Sequence, residues 1–122
     1  MRFELHCHSV CSDGTEEPQR VAARAVERSV DVFALTDHDT CAGTPAATVS
    51  HGVALRGVEI SCEDASTGRT IHLLAYDRGG MGWTDLETRL GDLRTARRNR
   101  MRVMGAKLAQ RGITVDVELQ AA

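Results

Sequence analysis

Hydrophobic and polar positions along the chain alternate between two periods, and this predicts a layered α/β fold. Arg2–Ser9 alternates apolar and polar residues with period two, a strand pattern. Ser12-Asp13-Gly14 is a turn signal, after which Pro18 suits the first turn of a helix and Glu16 and Glu17 suit its positive end. A helix over Pro18–Ser29 places Val21, Ala22, Ala25 and Val26 on one face. Val30–Thr36 is a nearly unbroken apolar run, as expected of a strand covered on both faces. Thr44–His51 reads as a second, short helix ending at Gly52, and Val53–Ser61 as one or two short strands around Gly57. Ser66-Thr67-Gly68 is a turn and Thr70–Tyr76 another strand. Gly79, Gly80 and Gly82 form a loop ahead of a long helix, roughly Trp83–Arg111, which Gly112 stops. Ile113–Val117 looks like the start of a further strand. The order strand, helix, strand, helix, strand, strand, helix, strand predicts an α/β layer with a largely parallel sheet. Such sheets carry their sites at the carboxyl ends of the strands.

Composition adds bounds. A chain of 122 residues is one small domain or a piece of a larger one. At 42% hydrophobic, 26% charged and a net charge of -2, it has the make-up of a soluble globular protein. Apolar runs such as Val32–Leu35 and Leu73–Ala75 are strand-sized, so neither a signal peptide nor a membrane helix is expected. The expected location is the cytoplasm. Cysteines 7, 11, 41 and 62 lack a disulfide framework or paired C-x-x-C spacing, and in a reducing compartment they read as thiols. Aromatic residues make up only 3% of the chain, which argues against a stacking surface for single-stranded nucleic acid.

The polar residues at strand ends carry the chemistry. His6 and His8 lie two apart on the first strand, so their side chains share a face with Cα atoms roughly 6.5–7 Å apart. Two imidazoles at that spacing can converge on one cation, although a lone H-x-H is equally a surface or structural pair. Asp13 follows in the next turn. Thr36-Asp37-His38-Asp39-Thr40 closes the buried strand, with His38 between two acids that either support an imidazole ligand or form a polar turn. Glu59 sits in an apolar strand context, where an unpaired carboxylate is costly. His72 lies within the next strand, between Ile71 and Leu73, and alone would read as a core histidine. Together His6, His8, Asp13, His38, Glu59 and His72 form a mixed nitrogen and oxygen set suited to Zn, Mn or Fe. Two or more such ions could polarise a phosphoryl group and generate a hydroxide nucleophile near neutral pH. A zinc module built from the four cysteines is disfavoured, because their spacings are irregular and Cys7 faces away from His6 and His8.

The long helix adds a second signal. Leu86, Leu90, Leu93, Met101, Met104 and Leu108 form one stripe at helical spacing, and Arg97 falls near its middle. Arg100 lies at the stripe's edge, and Arg94, Arg98 and Arg102 lie further round. Arg97 either snorkels over the core or pairs with an acid, or its planar fork is aimed at a substrate phosphate.

These segments in this order resemble the PHP (polymerase and histidinol phosphatase) superfamily. The matching pieces are Leu5-His6-Cys7-His8-Ser9, Ser12-Asp13-Gly14-Thr15, Thr36-Asp37-His38-Asp39-Thr40, Gly57-Val58-Glu59-Ile60-Ser61 and His72-Leu73-Leu74-Ala75-Tyr76. The resemblance continues through Ala96-Arg97-Arg98-Asn99-Arg100 and Arg111–Asp116, and is strongest to the branch of nucleoside 3′,5′-bisphosphate phosphatases and ribonuclease AM-like 5′→3′ exoribonucleases. It implies the N-terminal portion of a distorted (β/α)7 barrel with mostly parallel strands and a site for up to three divalent ions. By the resemblance, His6 and His8 would bind one ion, Asp13 another, and Glu59 would bridge two, with His38 and His72 completing the shells. Asp13, His38 and Arg97 would serve catalysis, with Arg97 and Arg98 on the substrate phosphate. Asp37 and Asp39 are carried over as supporting acids only. The implied reaction is hydrolysis of phosphate esters of nucleotides or RNA 5′ ends, without a Ser or Cys nucleophile. Glu4 stands where the family usually has Asp, a change expected behind the ligands. The family's later histidine and its terminal Asp-x-His have no counterpart in residues 1–122, so the expected unit is a PHP domain lacking its carboxyl-terminal strands. Its open sheet edges would be closed by a second copy or by the missing segment. The competing expectation is a non-catalytic metal-binding or scaffolding fragment.

Overall fold

The computed structural model describes residues 1–79 and 82–116. Strand β1 is Phe3–Glu4, helix α1 is Pro18–Glu27 and β2 is Val32–Leu35. A 3-10 turn over Thr44–Ala46 leads to β3, Val53–Glu63, then β4, Thr70–Asp77, and helix α2, Trp83–Ala109. The sheet runs in the order β1-β2-β3-β4. β1, β2 and β3 are parallel neighbours, whereas β4 returns antiparallel to β3 with His72 opposite Ser61. A tight hairpin makes that reversal. Asp64 accepts bonds from the Ser66 and Thr67 side chains, and Gly68 takes the positive φ of 67° that the turn requires.

Period-two alternation sorts the side chains. Phe33 and Leu35 of β2 lie on the helix-covered face with Ala22 and Ala25 of α1, whose small side chains let the helix approach closely. Further along that face, Val58 packs with Cys41 and Leu90 of α2, beside Ile60, Ala75, Trp83 and Leu86. The opposite face carries Glu59 and its β4 neighbours. The Arg56 guanidinium lies 5.1 Å from the centre of the Trp83 ring and pairs with Asp77, tying β3, β4 and the start of α2 together. On β4, at the sheet edge, Ile71 and Leu73 stay exposed.

Several elements differ from expectation. The Arg2–Ser9 strand shortens to two ladder residues, because beyond Glu4 its partner is partly a side chain: Cys7 N donates to Thr36 Oγ1, while Thr36 N donates back to Cys7 O. The alternation survives, since Cys7 packs against the core as expected. The Thr44–His51 helix is replaced by a single turn. With Pro45 inside it and β-branched Thr48 and Val49 following, the segment does not repay the cost of nucleating a helix. Ile113–Asp116 has no strand ladder, and Val117 lies outside the described residues. The α2 stripe is buried only toward its start: Leu90 is buried, whereas Met104 is exposed.

Gly57 shows how tightly β2 and β3 approach below the site. A Cβ there would sit 2.6 Å from Leu35 O and 2.8 Å from Thr36 Cγ2. Gly57→Ala is therefore expected to lower the unfolding free energy by about 1–3 kcal/mol. A urea midpoint equal to that of the unsubstituted chain would contradict the close approach.

Candidate metal centre

The six expected donors come together beyond the ends of β1 and β2 and along β3 and β4. Glu59 is the hub, only 5% exposed. Its Oε2 lies 2.8 Å from His6 Nε2, 3.0 Å from His8 Nε2 and 3.7 Å from His38 Nε2, while Oε1 lies 2.8 Å from His72 Nδ1. Asp13 closes the other side, 3.0 Å from His8 Nδ1 and 3.6 Å from His38 Nε2. The imidazoles touch in series, with ring centres 5.2 Å apart for His6 and His8, 4.7 Å for His8 and His38, and 5.1 Å for His38 and His72.

Local chain geometry places each donor. His38 and Glu59 form an isolated parallel bridge that continues the β2–β3 pairing past Leu35. Asp39 then adopts a positive φ of 53°, a conformation that Asp tolerates better than most residues, and its N–H donates to Glu59 O at 2.9 Å. Asp13 is returned by a loop that Gly14 permits: a Cβ on Gly14 would lie 2.5 Å from His8 O. His72 reaches the cluster because an antiparallel β4 sets its first residues against the carboxyl half of β3.

The two acids beside His38 divide their work, and neither joins a donor group. Asp37, 1% exposed, accepts from Ser9 N, Ser9 Oγ and Ser12 Oγ, each at 2.7 Å, and so staples the Asp13 loop to the end of β2. Asp39 turns toward α2. Its Oδ1 accepts from Ser61 N at 2.7 Å, and its Oδ2 lies 3.0 Å from Arg97 Nη1. Arg97 Nη2 donates to Ser61 Oγ at 2.9 Å. Of the two sets of readings for Arg97, pairing with an acid is realised, and the side chain also lines a cleft of about 540 Å³ with Asp13, His38, His72, Arg94 and Arg98. Sequence reasoning did not single out Ser9, Ser12, Ser61 or Arg94 for these roles. Their short polar side chains, or for Arg94 a place further round α2, carry no distinguishing periodicity. Glu4 stays behind the donors, its Oε1 3.4 Å from His6 N. His51 is exposed and enters no donor group.

Burial works to raise the pKa of Glu59. Hydrogen bonds from His6 and His72 and the nearby charge of His38 and His6 outweigh it and hold the carboxyl below its ordinary value. The donor set fits divalent ions on its chemistry and spacing. Two atoms bound to one ion at about 2.1 Å stand about 3.0 Å apart at a right angle and about 3.4 Å apart at a tetrahedral one. Three overlapping groups, His6-His8-Glu59, His8-Asp13-His38 and His38-Glu59-His72, hold their donor atoms within 4.8 Å of one another. His8 Nδ1 is buried and makes no hydrogen bond, although it lies 3.0 Å from Asp13 Oδ1, as suits a lone pair aimed at a third atom between them.

No cysteine belongs to these groups, and all four are free thiols. Burial first, then the charges of Glu4 and Asp37, pushes Cys7 up to about 12, and burial with Glu87 takes Cys41 to about 11. A raised thiol pKa leaves both protonated and poorly nucleophilic near neutral pH. Iodoacetamide at pH 8 is expected to label exposed Cys11 first and to spare Cys7 and Cys41 until denaturant is added. Early labelling of Cys7, read by peptide mass spectrometry, would contradict its enclosure.

Comparison with known proteins agrees with this geometry. A PHP domain profile matches residues 4–85. The chain is 38% identical over 118 residues to a 5′-3′ exoribonuclease of Haemophilus influenzae, covering 92% of this chain and 41% of that protein. It is 39% identical over 120 residues to a 3′,5′-nucleoside bisphosphate phosphatase of Chromobacterium violaceum, covering 91% and 39%. Among solved structures, an amidohydrolase of Chromobacterium violaceum with bound sulfate and no metal superposes with a TM-score of 0.74 at 34% identity, over 97% of this chain and 42% of that one. A structure from Bifidobacterium adolescentis described as a metal-dependent phosphoesterase gives a TM-score of 0.72 at 31% identity, over 88% and 38%. The chain thus spans about two-fifths of the length of the relatives it matches. The profile match, the half-barrel of α/β layers and the motif order converge on one assignment: this chain belongs to the PHP domain family.

Proposed function

We propose that this chain contributes to a metal-dependent phosphoesterase centre hydrolysing phosphate esters of nucleotides or RNA 5′ ends. The carrying observation is one buried carboxylate, Glu59, with an oxygen within 2.8–3.7 Å of three imidazoles and the other 2.8 Å from a fourth. His6, His8, Asp13, His38, Glu59 and His72 would together hold up to three ions, each imidazole serving one of them through its single lone pair. The mixed nitrogen and oxygen donors suit Mn, Zn or Fe. Divalent ions bound there would supply Lewis-acid polarisation of a phosphoryl oxygen and make a water more acidic.

The chain's own groups do the rest. Asp13, with its side chain 67% exposed, sits at the cleft between His8 and His38, where its carboxylate and His38 would face a bound phosphate ester. Arg97 and Arg98 line the same cleft and present charge and N–H donors to phosphate oxygens. The names of the relatives, a 5′-3′ exoribonuclease and a 3′,5′-nucleoside bisphosphate phosphatase, support a substrate among nucleotides or short RNA. Four free thiols, one of them exposed, favour a reducing cytoplasm. No helix among the described residues is long and apolar enough to cross a membrane. The exposed Ile71 and Leu73 on β4 would be covered by a second copy or by a further segment.

The competing reading is a metal-binding or scaffolding unit that takes up ions without turning substrate over. Phosphate release from adenosine 3′,5′-bisphosphate and from a short 5′-phosphorylated RNA separates the two. Elemental analysis tests what they share. His8→Ala and His38→Ala should each lose bound divalent metal, and full occupancy in both would remove the centre. Arg98→Ala should weaken inorganic phosphate binding about tenfold with metal content intact. Unchanged affinity in calorimetry would take Arg98 out of the cleft's chemistry.

A further inference from the structure

Asp39 is a buried acid that the proposed chemistry does not use. It adjoins His38 in sequence, is 1% exposed and enters no donor group. Its contacts run elsewhere. Its N–H is tied to Glu59 O, Oδ1 accepts from Ser61 N, and its carbonyl accepts from Arg94 Nη1. Its Oδ2 makes no hydrogen bond, yet it stands 3.0 Å from Arg97 Nη1. A buried carboxylate is costly unless a cation answers it. The answering cation belongs to a different element, α2, and has a side chain 55% exposed at the cleft.

We propose that Asp39 is a positioning residue that aims Arg97 at the substrate phosphate, with Ser61 as the second anchor of the same guanidinium. This rests on the phosphoesterase reading of the cleft. A guanidinium is a rigid plane with five N–H donors. One contact on Asp39 and one on Ser61 fix that plane and leave the remaining donors for the incoming anion. A long side chain otherwise loses rotamer freedom on binding, and fixing it beforehand removes that cost. Arg94, bonded to the carbonyl of the same residue, holds α2 against the loop, so Asp39 links the backbone carrying Glu59 and His38 to the basic segment of the helix. Arg98 lines the cleft without a protein anion holding it among the described residues, which separates a braced arginine from a free one.

The test uses the full chain loaded with Mn, and calorimetric titration with inorganic phosphate and with adenosine 3′,5′-bisphosphate. Asp39→Asn keeps an oxygen for Ser61 N and tolerates the positive φ, but removes the charge facing Arg97. It should weaken phosphate binding about tenfold while leaving metal content unchanged. In an Arg97→Ala background the same substitution should add nothing, because it acts through Arg97. Ser61→Ala, which keeps the backbone contact, should cost about threefold by the same route and serves if Asp39→Asn does not fold. Undiminished affinity in Asp39→Asn, a loss that persists in full without Arg97, or a fall in metal content would overturn the proposal. A wild-type chain that takes up metal but binds neither probe would overturn the phosphoesterase reading together with it.

Discussion

One carboxylate organises this molecule. Glu59 is held almost out of solvent on a strand, and four imidazoles from three segments lie 2.8–3.7 Å from its oxygens. A charge in that position is tolerated only where neighbours answer it, so the surrounding fold has to deliver partners. β2 delivers His38 through a bridge to Glu59 itself, β1 runs out into His6 and His8, and the antiparallel return of β4 brings His72. One stapled loop completes the arrangement. Asp37 fixes the loop of Asp13 through Ser9 and Ser12, and Gly14 lets that loop lie against His8. The imidazoles that lower the Glu59 pKa are the groups with which it would share cations, so the electrostatics of the cluster and the cation binding proposed for it have one origin.

Much of this was legible in the residues, for reasons that differ between elements. Period two placed His6 and His8 on one side and Cys7 on the other, and the structure keeps that sorting even though the ladder ends at Glu4. Apolar run length gave β2, and the Pro18 start gave α1. The short helix after Asp39 failed because a locally permissive sequence did not outweigh nucleation. The acids around His38 could not be assigned from sequence. Asp37 and Asp39 are chemically alike and two residues apart, and only the tertiary positions of Ser9, Ser12, Ser61 and Arg97 show that one staples a loop while the other faces a helix. Arg97 likewise broke an apolar stripe visibly, but which partner it met depended on where α2 passes the end of β3.

The two halves of α2 perform different tasks. Trp83, Leu86 and Leu90 seal the helix onto Val58, Ile60 and Ala75, giving the sheet its second core cluster. Beyond them the helix overhangs the donors and offers arginines where a buried helix would offer leucine. Anchoring at one end and charge at the other let a single element close the core and furnish the cleft. The exposed face of Ile71 and Leu73 marks where this arrangement of strands stays uncovered.

The central claim is that these six donors share cations. Anomalous difference density from crystals soaked in manganese tests it most directly. Peaks about 2.0–2.3 Å from Glu59 oxygens and from nitrogens of the surrounding histidines are expected, with Glu59 common to more than one peak. Manganese found only elsewhere, with the histidine and glutamate side chains still bonded to one another, would contradict the account.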